Sequence, residues 1–86
     1  MSIMVNDNQV RWRCRRGTRE LDVLLGRFLD AAYASLDPVD KECFSLLLDQ
    51  KDPELYDWLT GRAIPEDSAL AEMVQRIRTT IMPRNN

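Results

Sequence analysis

From Leu21 onward the apolar residues fall at Leu21, Leu24, Leu25, Phe28, Leu29 and Ala32, the i, i+3, i+4, i+7, i+8, i+11 series of one helical face. The pattern predicts a helix over residues 21–32. It should stop near Ser35, because Asp37-Pro38 follows and the residue before a proline is pushed out of the helical region. The same dipeptide starts the next helix, with Asp37 placed to cap free backbone N–H groups and Pro38 in the first turn, where no N–H is needed. Cys43, Phe44, Leu47 and Leu48 form its inward side. Asp52-Pro53 repeats the cap-and-start pattern and opens a short helix with Leu55, Trp58 and Leu59 inward, which Gly61 ends at a left-handed position. After Pro65, the carboxylates of Glu66 and Asp67 suit the positive end of a last helix. Its apolar face is Leu70, Met73, Val74, Ile77 and Ile81, and it is predicted to cover at least residues 70–77.

The first element is ambiguous by period alone. Val10, Trp12 and Cys14 alternate with Arg11, Arg13 and Arg15, which by itself describes a half-buried strand. A single strand needs a ladder partner, and every other segment has helical period. A short helix with Val10 and Cys14 inward is therefore the expectation. The whole reads as one all-α domain over residues 1–86, with an ordered core of roughly residues 9–82 and fraying ends, the polar stretch 83–86 included.

Composition agrees with this. Apolar residues at 44% and charged residues at 30% place the chain among folding globular sequences. Three glycines and four prolines are too few for a turn-rich sandwich or barrel. Residues 1–13 contain no apolar run resembling a secretory signal or a membrane span, so a cytoplasmic protein without membrane insertion is expected. Cys14 and Cys43 are not in a CxxC pair and have no histidine to help them, so no metal site is expected and both should be free, largely buried thiols.

The absence of histidine also bears on activity, since the commonest general base near neutral pH and the usual partner of a Ser or Cys nucleophile are missing. No GxGxxG follows a strand and no phosphate-binding loop is present, so no catalytic residue and no stably held cofactor are expected. Binding is the remaining role. Net charge is −2, yet Arg11, Arg13, Arg15, Arg16 and Arg19 crowd one stretch while residues 20–67 hold most of the acids. Within that stretch, Gly17 can adopt a backbone closed to other residues and admits a close approach, and Arg16 and Glu20 flank it. Their spacing equally permits a local ion pair of about 0.3–0.5 kcal/mol across a turn.

Arg16-Gly17-x-x-Glu20 resembles the RGxxE motif of the FAD assembly factors of succinate dehydrogenase. Trp12-x-Cys14-Arg15-Arg16-Gly17, Glu20-Leu21-Asp22 and Leu47-Leu48-x-x-x-Asp52-Pro53-Glu54-Leu55-Tyr56-x-Trp58-Leu59 are similar to the family's bacterial members in order and spacing, over residues 12–77. The resemblance implies a small antiparallel bundle of about five helices and a helical first element. It also implies a chaperone-like protein, not an enzyme, which promotes covalent attachment of FAD to a histidine of the flavoprotein subunit, in some members the related fumarate reductase subunit. On that reading FAD is carried by the partner, as suits a chain with no histidine to offer. Arg15, Arg16, Gly17, Glu20 and Trp12 are the expected docking surface, and the free protein is expected to be a monomer. Trp12, Tyr56 and Trp58 are the aromatics that could stack on a flavin, although aromatics at helical spacing are more often core. One rival reading uses the same stretch, nucleic-acid binding through arginines interleaved with Trp12; another, an older reading of the family that this chain resembles, is an antitoxin-type regulator. The acidic balance of the rest of the chain disfavours a polyanion partner.

Overall fold

Six helical segments follow one another in the computed structural model, which describes residues 7–81. They are α1 (Asp7–Arg13), α2 (Arg19–Ala31), a 3₁₀ turn (Tyr33–Ser35), α3 (Pro38–Leu48), α4 (Asp52–Leu59) and α5 (Ser68–Ile81). Residue 82 of the expected core and the expected fraying stretch 83–86 lie outside the described residues. So do residues 1–6 of the segment read for targeting signals. No strand occurs among the described residues. The alternation at residues 10–15 therefore does not mark a strand. Val10 and Cys14, one helical turn apart, are buried, whereas Trp12 between them is 72% exposed.

The amphipathic face of α2 forms the centre of the core. Leu21, Leu25, Phe28 and Leu29 are buried, with Leu24 and Ala32 packed against them at the edge. Here α2 meets α4 and α5, and α5 in turn packs on α3 and α4. Between these helices lie Phe44 and Leu47 of α3, Leu55 and Leu59 of α4 and Ile77 of α5, all at 0% exposure. The rings of Phe28 and Phe44 are 5.3 Å apart and those of Tyr33 and Phe44 5.5 Å apart, tilted in both cases, within the spacing at which aromatic pairs attract beyond simple burial. The alternative aromatic role divides accordingly: Tyr56 and Trp58 pack partly buried against this core, while Trp12 does not join it. Cys43 and Leu70 likewise sit at its margin.

Each helix boundary has a local cause. Past Ala31 the chain tightens into the 3₁₀ turn, so helical character does extend to Ser35 as expected, though in the tighter form. The carboxylate of Asp37 accepts a hydrogen bond from the Asp40 N–H at 2.8 Å, capping α3 ahead of Pro38. Asp67 does the same for α5, accepting from the Leu70 N–H at 3.0 Å. Gly61, at φ +84°, ends α4 in a backbone conformation that favours glycine, and a Cβ there would lie 2.7 Å from the Arg78 guanidinium, the movable end of a long side chain. One expected cap is corrected. Asp52 is the first residue of α4 and Lys51 precedes it with no side-chain cap; the Asp52 carboxylate instead points to Arg16, 36 residues earlier in the chain. A charged donor outcompetes a backbone N–H for the same oxygen because charge-assisted hydrogen bonds are about twice as strong.

Burial also gives the fold an alkaline limit. The Cys14 thiol is pushed from 9.0 to about 11 by burial, against the opposing pull of Arg16, Arg13 and Arg11. The Tyr33 phenol is pushed from 10.0 to about 12 by burial, with the nearby Asp7 carboxylate adding to it. Both groups hold their protons more tightly folded than unfolded. Their contribution to stability is therefore complete below pH 9 and is lost as pH rises through about 11 for Cys14 and about 12 for Tyr33. Thermal melts across this window should show a falling melting temperature, and the fall should be shallower in Cys14→Ala.

Candidate partner-binding surface

At the end of α1 the Cys14 N–H still reaches the Val10 carbonyl and the Arg15 N–H reaches that of Trp12, after which the chain leaves the helix. It turns at Gly17, whose φ of +85° lies in the region that side chains disfavour. Thr18 then takes an extended conformation before α2. A short connection carrying a positive φ needs an anchor, and Arg16 supplies it twice over. Its backbone N–H donates to the Asp22 carboxylate at 2.6 Å. Its side chain crosses to the α3–α4 connection, where Nε donates to Asp52 at 2.7 Å, Nη1 to the Leu48 carbonyl at 2.8 Å and Nη2 to the Gln50 carbonyl at 2.7 Å; Nη1 also donates to the Arg13 carbonyl at 3.0 Å. One guanidinium thus serves carbonyls at the ends of both α1 and α3, where unpaired C=O groups concentrate partial negative charge. The local Arg16–Glu20 ion pair permitted by spacing is not formed, because Asp52 and three carbonyls converge on Arg16 from the other side.

A second tie runs beside the first. Arg13 donates to the Ser45 hydroxyl at 2.7 Å, to the Ser45 carbonyl at 2.9 Å and to the Asp49 carboxylate. Together Arg13 and Arg16 fasten the α1–α2 turn to the last turn of α3 and the start of α4.

What remains outside is different in character. Gly17 is exposed, with nothing within 4 Å of where a Cβ would stand. Glu20 is exposed in the first turn of α2, and among the described residues its carboxylate has no hydrogen bond or ion pair. The Arg15 guanidinium sits 5.6 Å from the Trp12 ring centroid with no carboxylate partner among the described residues, a geometry in which a cation is drawn to the π face. Alongside lies an open cleft of about 440 Å³ between α1 and α2, bordered by Arg11, Arg15 and Asp30. No group of three or more His, Cys, Asp or Glu side chains among the described residues could hold a metal ion, and no helix among them is long and apolar enough to cross a membrane.

Of the five residues singled out from sequence, the structure brings Trp12, Arg15, Gly17 and Glu20 to the surface at or beside the α1–α2 turn and turns the Arg16 side chain inward. Sequence reasoning missed Asp52, Asp22 and the Leu48 and Gln50 carbonyls. The pairing of an RGxxE motif with a downstream Asp-Pro block at fixed distance was the one signal that could have connected Arg16 to Asp52, and helix periodicity cannot read it.

An exposed aromatic–arginine pair and an unpaired carboxylate thus flank the glycine turn on one edge of a small all-α domain. The family model described as flavinator of succinate dehydrogenase matches residues 8–81. Relatives named FAD assembly factor SdhE are 49% identical over 70 residues in Coxiella burnetii, covering 81% of this chain and 85% of that one, and 44% identical over 80 residues in Shewanella oneidensis, covering 93% and 98%. A third, from Colwellia psychrerythraea, is 45% identical over 75 residues, covering 87% and 82%. The chain belongs to the succinate dehydrogenase flavinator family.

Proposed function

We propose that this protein is a cytoplasmic assembly factor that binds the flavoprotein subunit of succinate dehydrogenase, and the related fumarate reductase subunit, and promotes covalent attachment of FAD to it without itself being an enzyme. The observation that carries this reading is the exposed Gly17–Glu20 edge, which supplies an open backbone and an unpaired carboxylate at the motif that the family resemblance implicates. The chain has no histidine, which supports assigning the histidyl acceptor, and with it FAD, to the client. The factor's contribution is to hold the client in the conformation that aligns the two, lowering the barrier by orientation.

The basic stretch supports the protein-binding reading over nucleic acid. Arg11, Arg13 and Arg16 are paired with Asp30, Asp49 and Asp52, which leaves few cations for phosphates, while polyanion affinity grows with each phosphate neutralised. The test is to produce the flavoprotein subunit with and without this protein and to read in-gel flavin fluorescence after denaturation, which reports only covalently held FAD. Fluorescence should be strong with the protein and weak without it; equal signals would refute the assignment.

A further inference from the structure

Resting on the proposed function, we infer that Arg16 is a positioning residue, acting with Asp52 to present Gly17 and Glu20 to the client and making no client contact of its own.

A guanidinium has five N–H groups. Four intramolecular hydrogen bonds already occupy Arg16, at 2.7–3.0 Å, and its side chain is only 15% exposed. To reach a partner it would have to abandon the Leu48, Gln50 and Arg13 carbonyls, leaving helix-end acceptors unpaired in a partly buried setting. Gly17 and Glu20 have the opposite character, with exposure and nothing bound. The charged residues of the motif therefore divide by direction: Arg16 faces the fold and Glu20 faces out.

The link between them is mechanical. Arg16 is the residue immediately before Gly17, and it is held from both ends, by Asp22 at its backbone N–H and by Asp52 at its side chain. With these contacts in place the turn has one conformation, and α2 begins in a fixed direction with Glu20 in its first turn. Without them, the turn would explore other conformations, and the client would have to order it on binding, which weakens affinity in proportion to the competent fraction. Asp52 thereby becomes part of the functional site although it touches no exposed motif residue.

The experiment is a double-mutant cycle on binding to the purified, flavin-free flavoprotein subunit of succinate dehydrogenase, using Arg16→Ala, Asp52→Ala and the double variant, each measured well below its own melting temperature. Arg16→Lys and Asp52→Asn serve as milder versions should the alanine variants unfold. Asp52→Ala should weaken binding about tenfold, Arg16→Ala by a similar factor, and the double variant by little more than either alone, because coupled neighbours fail to add. The Gly17 amide resonance should shift or broaden in every variant of the cycle while resonances of the Phe28 core stay in place. The dependence of affinity on ionic strength should keep its slope in Arg16→Ala, since no intermolecular charge pair is lost. Wild-type binding by Asp52→Ala, or a double variant whose loss is the product of the two single losses, would show that Arg16 meets the client directly and would overturn the inference. Failure of the wild-type protein to bind the subunit would refute the proposed function itself and leave Arg16 a purely structural tie.

Discussion

Phe28→Ala is expected to lower stability by about 3–5 kcal/mol, the range for truncating a buried phenylalanine. Phe28 is completely buried on α2, and its ring packs 5.3 Å from that of Phe44, so the change removes both transferred apolar surface and an aromatic pair. The cavity would open beside Phe44 of α3 within the buried cluster, and rigid helices cannot close around it without displacing other core side chains. A domain of this length has about 4–13 kcal/mol of stability in total. The variant should therefore melt about 12–40 °C below wild type, as followed by circular dichroism at a helical wavelength. A melt like that of wild type would mean that α2 buries a different face.

Glu20→Ala and Gly17→Arg should abolish or strongly reduce client flavinylation while leaving most of the fold intact. Glu20 makes no contact within the described structure, so its removal loses only a favourable position near the positive end of α2, less than about 1 kcal/mol. In a docked complex, however, the same change leaves a client donor unpaired, weakening binding by about 1–3 kcal/mol, or about 5–150-fold. Gly17→Arg adds two effects that a control can separate. Any side chain at φ +85° carries backbone strain of about 1–3 kcal/mol, but its Cβ meets nothing within 4 Å. Gly17→Ala carries the same strain with one methyl group. If bulk at the docking surface is the cause, Gly17→Ala should lose stability yet support flavinylation well, and Gly17→Arg should not. Melting temperature measured beside in-gel flavin fluorescence of the client distinguishes these outcomes. Normal flavinylation by a folded Glu20→Ala protein would return the turn to a structural role.

The amino-acid sequence alone was enough to place the helices. Apolar period defines α2 and α5, Asp-Pro and Gly punctuate the chain where helices begin and end, and these signals are local because capping and periodicity depend on neighbours within a turn or two. Val10–Cys14 was harder. Its alternation is real in the sequence, and the helix follows only because no other segment could pair with a strand. Gly17 and Glu20 were singled out through the RGxxE resemblance, and both are exposed in the structure, at the α1–α2 turn and in the first turn of α2.

Only the tertiary structure decided what Arg16 and Asp52 do. Each has a sound local role on paper, Arg16 as an i to i+4 partner of Glu20 and Asp52 as a helix cap, and each gives it up for the other across 36 residues. The reason is energetic: packing α3 and α4 against α2 brings the Leu48 and Gln50 carbonyls and the Asp52 carboxylate to one partly buried place, and a guanidinium with several charge-assisted partners there gains more than an exposed ion pair worth a few tenths of a kcal/mol. Long-range convergence of this kind leaves no helical period in the sequence, and the contacts themselves appear once the helices are packed.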